Sequence, residues 1–416
     1  MAFPISPGVF LQDHRRPPEW QAKGVMLFVG AFEQGPAGVP VLVKSRDQAR
    51  DVFGADAPGC VTAEALQQFF EQGGQTAMVL RIAIGRDAPL SQNRPLLLHA
   101  EALCEVTGAG REFDPGPDPI TSKDAGWAKA VVAAFGPQDG LAPLRDMSKG
   151  RVEMLVAPIL SQLDMPKARD VYRKLHRLAV DKDMFLLIDP PQGLPPQDWI
   201  PRWFDALGLE SSPNAVALAP ILTAADGEGQ DIAPSGPVAG LLDRVACSGG
   251  IWTPPTGGQA CLFGLQTSSS CDQENAECPT YLNCLTDHDR GARFGDEGIF
   301  SFAGPDAPRL RFLRVLRKTR LTLRAELARL MDEDTPEGRR SEARLIAEAL
   351  MVQLWRDGAL RGRSPSQAYR VTTTEPDPKT GRFELCVGLA LQAPGRFLWE
   401  SVALGGPDEG SEKPRG

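Results

Sequence analysis

The residue types that could carry chemistry are sparse in this 416-residue chain: four histidines, His14, His99, His176 and His288, and eight cysteines. No histidine sits in a recognisable catalytic setting, so solvent-facing or structural roles are expected for all four. The cysteines are Cys60, Cys104, Cys247, Cys261, Cys271, Cys278, Cys284 and Cys386, and five of them fall between 247 and 284. That clustering invites a metal reading, but the six and five residues separating Cys271, Cys278 and Cys284 fit no C-x-x-C pattern for zinc. Scattered reduced thiols are the expectation, with a metal site joining His288, or a disulfide pair, as alternatives. A phosphate-binding G-x-x-x-x-G-K-[ST] loop, a G-x-S-x-G nucleophile elbow and an H-E-x-x-H zinc motif are all missing from the sequence. One enzyme-like feature stands out. Asp189 ends the apolar run Phe185-Leu186-Leu187-Ile188, and acidic residues at the C-terminal ends of parallel strands often line active-site crevices. Pro190-Pro191 follow at once and remove two backbone donors where an oxyanion or phosphate cradle would need them. A structural turn is therefore preferred, with an α/β enzyme or nucleotide-binding protein using a crevice near Asp189 as the alternative.

The elements that would position such residues follow from hydrophobic periodicity. Val25 to Gly30 and Val39 to Val43 read as strands, Asp47 to Phe53 and Thr62 to Gln72 as helices, and Met78 to Ile84 as a further strand. An irregular stretch from 86 to 126 reads as an insertion or small subdomain. Alternation then resumes, with strands at Val152 to Ala157, Phe185 to Asp189 and Val216 to Leu222, and helices at Lys167 to Asp181 and Asp198 to Leu207. Strands separated by single helices imply a mainly parallel sheet with both faces covered. Residues 224 to 306 read as loop-rich. Two helices, 307 to 331 and 336 to 357, and strands near 367 to 374, 382 to 391 and 396 to 403 complete the chain. Thr335 and Pro336 suit the start of the second of these helices and Gly358 its end.

Composition narrows the class. A hydrophobic share of 42% suits a core-forming protein, and 42 Gly with 37 Pro predicts abundant turns. No run approaches the ~18 apolar residues of a membrane span, and the opening Met-Ala-Phe-Pro-Ile-Ser-Pro lacks the pattern of a signal peptide, so cytoplasmic synthesis is expected. The 45 basic and 53 acidic side chains give a net charge of -8, which argues against general nucleic-acid binding.

The helix from 309 to 330 inverts that balance. It holds eight basic residues, Arg309, Arg311, Arg314, Arg317, Lys318, Arg320, Arg324 and Arg329, and one acidic residue, Glu326. At ~100° per residue Phe312, Leu313, Leu316, Leu323, Leu327 and Leu330 share one arc, and Arg311, Arg314, Arg317, Lys318, Arg324 and Arg329 the opposite one. The reading is a core face and a positive face. The latter is either simply solvated or docked on an acidic partner. Aromatic residues that could stack on bases do not interleave with the basic ones.

These segments, in their order, resemble the tail sheath proteins of contractile phage tails and contractile injection systems. Ser6-Pro7-Gly8-Val9-Phe10 resembles the family's P-G-V-Y arm, and Phe28-Val29-Gly30 through Gly35-Pro36 and Pro40 to Val43 its first strands. Phe53-Gly54 and Phe69-Phe70-Glu71-Gln72-Gly73-Gly74 look like its F-G and F-F-x-N-G-G segments. Val156-Ala157-Pro158, Leu187 to Pro191, Pro234 to Gly240 and Gly250 to Pro255 fall in the family's order. Leu354-Trp355-Arg356-Asp357-Gly358-Ala359-Leu360, followed by Ser364-Pro365-Ser366-Gln367-Ala368-Tyr369, is similar to its C-terminal signature. The chain departs from the family between 266 and 306, where Gly291-Ala292-Arg293-Phe294-Gly295 and the Cys-rich segment replace the usual stretch.

The resemblance implies an α/β (α+β overall) protein. Its expected parts are an N-terminal strand arm (1–22), an outer α/β domain with a mainly parallel sheet (23–285), an inner C-terminal α+β domain facing a tube (286–395), and a C-terminal strand arm and tail (396–416). It also implies a structural subunit, not an enzyme, with no cofactor and no metal. Such a subunit polymerises helically around an inner tube and contracts to drive that tube through a target envelope. A sheath paralogue at one end of the particle is the nearer alternative. Implied partners are further copies of itself, an inner tube protein, and baseplate and cap proteins, without nucleic acid or direct membrane insertion. The implied location is a phage tail or injection particle, which can be extracellular after release. Gly8, Val9, Phe10, Leu11 and Gln12, with Phe397, Leu398, Trp399 and Val402, are the expected inter-subunit strands. Arg311, Arg314, Arg317, Lys318 and Arg324 are the expected tube-facing residues.

Overall fold

The computed structural model of the protein describes residues 24–54, 60–84, 126–136, 141–192, 200–209, 211–225, 231–257, 260–268, 282–296, 298–302, 308–328, 330 and 335–404. The expected arm at Gly8 to Gln12 and the irregular stretch from 86 to 125 lie outside these residues.

The chain opens with β1 (Val25–Gly30), β2 (Val41–Val43), α1 (Arg46–Phe53), α2 (Val61–Glu71) and β3 (Ala77–Arg81). After α3 (Trp127–Ala134) and α4 (Ala142–Asp146) come β4 (Val152–Val156), α5 (Met165–Lys182), β5 (Phe185–Ile188), α6 (Ile200–Leu207) and β6 (Ala215–Ala219). Then follow β7 (Leu222–Ala224), α7 (Ser235–Gly249), β8 (Cys261–Phe263), β9 (Leu265–Thr267), β10 (Leu282–Thr286) and β11 (Gly291–Phe294). Nine of these strands form one sheet in the order β2-β3-β1-β4-β5-β6-β10-β11-β8. Its middle six, β3 to β10 in that order, are parallel; at the margins β2 and β11 run opposite to them, and β8 pairs antiparallel with β11. The parallel strands are mostly apolar, as strands covered on both faces must be, the exceptions being Arg81 at the end of β3, Glu153 in β4, and Asn283 and Thr286 in β10. One core, on the α3–α6 side, gathers Leu27, Leu155, Tyr172 and Leu186, and the other, on the α1, α2 and α7 side, gathers Phe28, Phe69, Val156 and Leu241.

The strand expected over Val216 to Leu222 divides into β6 and β7 around Pro220, which has no N–H for a ladder. The expected boundary near 285 falls inside the sheet. β10 and β11 belong to it, and Phe302 donates its N–H to Ala215 (2.7 Å), so the first domain continues to residue 302.

The C-terminal domain holds α8 (Leu310–Leu327), α9 (Pro336–Arg356), the short α10 (Pro365–Ala368) and a three-stranded antiparallel sheet, β12 (Tyr369–Thr373), β13 (Phe383–Ala393) and β14 (Arg396–Leu404). The helices cover one face of that sheet over a third core of Phe312, Leu323, Met351, Leu385 and Leu389. α9 is capped as its sequence requires. Thr335 accepts from the Gly338 N–H (3.1 Å), and Gly358 takes φ 85° where the chain reverses, with the Ala359 N–H returning to Leu354 (2.9 Å).

Candidate functional site

The face of α8 opposite its apolar stripe carries buried charge. Arg314 and Arg317 are only 4% exposed each. Arg314 forms a two-pronged pair with Glu153 of β4, Nε donating to Oε1 at 2.6 Å and Nη2 to Oε2 at 3.1 Å. Arg317 donates to the carbonyls of Val152 (2.6 Å) and Asp183, and its Nε lies 3.9 Å from the Asp183 carboxylate. One turn on, Arg320 forks between Asp183 (2.7 Å) and Glu400 of β14 (2.8 Å and 2.9 Å). Arginines at 314, 317 and 320 thus stitch α8 to β4, to the left-handed C-cap of α5 at Asp183 (φ 58°), and to the last strand of the chain. Burial alone would raise the Glu153 carboxyl; the charge and hydrogen bonds of Arg314, backed by Arg317 and Lys318, hold it below its usual range.

This arrangement corrects the sequence reading. Arg314 and Arg317 cannot face a tube, because they are enclosed between two domains. Periodicity separates apolar from charged positions but does not distinguish water from a protein carboxylate on the charged side. Arg311 stacks over Phe312 (4.7 Å), Lys318 is partly exposed with its charge acting on Glu153, and Arg324 lies open to solvent.

The expected C-terminal arm is also built in. Leu398 and Val402 of β14 pair with Leu389 and Leu385 of β13, so the strand closes an in-chain sheet and is not free. Its other edge has no strand partner among the described residues. Phe397 and Trp399 lie on the face away from the helices, edge to face at 6.1 Å, with Arg370 over Phe397 (5.4 Å). A Cβ at Gly388 would meet Trp399 at 3.1 Å, which explains glycine in the middle of β13.

Asp189 is committed to structure. It is 1% exposed, and its two carboxyl oxygens accept from Ser235 N–H (2.7 Å) and Ser235 Oγ (2.5 Å) at the start of α7. Burial pushes its carboxyl up to about 7 against those hydrogen bonds, while its own N–H donates to Tyr172 (3.1 Å). Neither oxygen is presented to a crevice. No group of three or more His, Cys, Asp or Glu that could hold a metal occurs among the described residues. Cys60, Cys247, Cys261 and Cys386 are free thiols, but Cys284 is disulfide-bonded, which corrects the expectation of reduced cysteines throughout. Among the described residues no helix is long and apolar enough to cross a membrane.

Sequence reasoning missed α7, placed in a loop-rich region because Ser235-Gly236-Pro237 and Gly240 read as turn residues. The glycines serve packing: a Cβ at Gly236 or Gly240 would overlap the backbone carbonyls of Ala65 or Phe69 on α2. Gln72, in the Phe-Phe-Glu-Gln-Gly-Gly motif, also has a role the sequence did not signal. Its amide exchanges hydrogen bonds with both backbone groups of Phe263 (2.8 Å and 3.0 Å) and so caps the edge strand β8.

No protein-family model and no curated protein matches the chain. Solved structures do. The chain is similar, at 19% identity and TM-score 0.65, to a component of the anti-feeding prophage baseplate in its contracted state, with 96% of this chain and 97% of that one covered. It is similar at 17% identity and TM-score 0.58 to a chain of the PVC extracellular contractile injection system sheath complex in the contracted state, covering 96% and 97%. A sheath tail protein from Desulfitobacterium hafniense matches at 10% identity and TM-score 0.59 over 97% and 99%. The chain therefore has the fold of contractile-sheath proteins, in both of its domains.

Proposed function

We propose that this chain is a structural subunit of a contractile sheath, which polymerises helically around an inner tube and shortens to drive that tube through a target envelope. The observation that carries the reading is the likeness of nearly the whole chain, both domains included, to sheath structures that cover 96% and 97% of it. The fold is that of a structural protein, and no catalytic step is assigned to it. Its partners are further copies of itself, an inner tube protein, and baseplate and cap proteins; it is made in the cytoplasm and works in the assembled particle.

The arginine seam supports a mechanical role. Glu153, Asp183 and Glu400 lie on three different segments and converge on α8. Breaking a buried charge pair by removing one partner costs about 3–5 kcal/mol, so the two domains move as one body and the change of packing falls on the contacts between subunits. The open edge of β14 and the segment Gly8 to Gln12 are the strands proposed to join neighbours by main-chain ladder bonds. Of the basic residues of α8, Arg324 is the one that lies open to meet an acidic tube surface, and such a contact stays weak enough to break. Arg324→Glu should leave the fold intact and reduce the fraction of sheathed tubes in particle micrographs; normal sheathed tubes would exclude that contact.

The test of the proposed function is polymerisation. Purified protein should form tubes under negative stain, whereas an enzyme of the Asp189 alternative should remain a small oligomer.

A further inference from the structure

A second basic face lies on α5, and it is built differently from the one on α8. α5 turns Ala168, Val171, Leu175 and Ala179 into the core and leaves Lys174 and Arg177 outward. Between α5 and the α3–α4 segment opens a concavity of about 470 Å³. Phe135, Leu141 and Leu178, all buried, form its apolar floor, and Arg145, Lys174 and Arg177 its cationic rim. The one acidic lining residue, Asp181, faces Lys149 (4.0 Å) and Lys182 (3.7 Å). Lys174 and Arg177 have no hydrogen-bond or ion-pair partner among the described residues. One turn beyond Arg177, Val180 is 51% exposed.

We propose that this pocket is a docking surface for a second copy of this chain, which presents to it an apolar side chain flanked by carboxylates. The inference rests on the reading of the protein as a self-polymerising subunit. Identical chains of net charge -8 repel one another, so a lattice of them needs places where the sign is locally inverted. A head-to-tail lattice contact joins two unlike patches, and a basic patch on one copy then meets an acidic patch on the next. The apolar floor supplies the desolvated anchor and the rim cations Lys174 and Arg177 supply orientation, the usual division between the core and the rim of an interface. On α8 the equivalent cations are consumed by internal carboxylates; on α5 they are left for another chain.

The experiment places a photoreactive benzoylphenylalanine at Arg177 in the full-length purified protein and irradiates it under assembly conditions. The expected product is a covalent dimer of two 44.9 kDa chains. Its yield should fall roughly tenfold when Lys174→Glu is added, and similarly in high salt. Absence of dimer, or a dimer indifferent to both changes, overturns the proposal. In particles purified with their natural partners, an adduct with a different protein and none with a second copy would overturn it equally. Micrographs of the same samples read the sheath assignment separately. Tubes without cross-link sink the docking surface alone, and cross-linked dimers without tubes support it while removing the sheath.

Discussion

The basic faces of α5 and α8 differ in what their charges are for. Arg314 and Arg317 of α8 are enclosed, paired with Glu153, Asp183 and backbone carbonyls, and hold two domains together. Lys174 and Arg177 of α5 border an open pocket and pair with nothing among the described residues. A count of charges along the sequence ranks α8 as the better docking surface; the three-dimensional positions of the carboxylates reverse that ranking. Clustered like charge therefore marks a binding surface only after its internal partners have been counted.

The comparison breaks most easily at Glu153. Glu153→Ala leaves Arg314 buried and uncompensated, and should lower stability by about 3–5 kcal/mol, read as a lower midpoint in urea unfolding. The double change Glu153→Leu with Arg314→Met should recover most of that loss, because a dry apolar pair of similar size avoids the desolvation cost. Failure of the double variant to recover would show that buried Arg317 also depends on the Glu153 charge.

Asp189 gives the next largest effect, through pH. Its carboxyl lies at about 7 in the folded protein and near 3.8 ordinarily. A raised folded value means that its contribution is fully present below pH ~4 and is lost as pH rises through 7. Asp189→Asn retains an acceptor for the Ser235 N–H and a donor for its hydroxyl but does not ionise. The stability of wild type minus variant should therefore fall by up to about 4 kcal/mol between pH 4 and pH 8. A flat difference across that range would mean that the carboxyl is not held protonated.

Arg320→Ala is expected to be milder. Arg320 is partly exposed and its partners Asp183 and Glu400 can reach water, so a loss of about 1 kcal/mol is expected from thermal melting, accompanied by faster hydrogen exchange in β14. The smallest effect belongs to α5. Lys174→Glu with Arg177→Glu should change monomer stability by no more than about 0.5 kcal/mol while weakening self-association, the opposite of the pattern at α8.

Much of the fold was legible because local signals agreed with tertiary demands. The apolar runs at Val25–Gly30 and Phe185–Ile188 could only be buried strands, and Thr335, Pro336 and Gly358 bracket α9 as capping chemistry requires. The order of short motifs pointed to the sheath fold. α7 was illegible because Gly236 and Gly240 carry a turn signature while serving helix contact with α2. The boundary near 285 was misplaced because short strands such as β11 (Gly291–Phe294) have too few residues for periodicity to declare them. The α8 seam was half legible: its arginines were found, but Glu153 lies 161 residues from Arg314 and no local pattern links the two. The expected strand at Arg396 to Leu404 was present, yet its pairing with β13 depends on register, which only the structure displays.

The central claim is that this chain is a sheath subunit, and the direct measurement is electron microscopy of the purified full-length protein under conditions that favour assembly. The account predicts hollow helical tubes built from the 44.9 kDa chain alone. A population of small discrete oligomers, unchanged by concentration or salt, would contradict it.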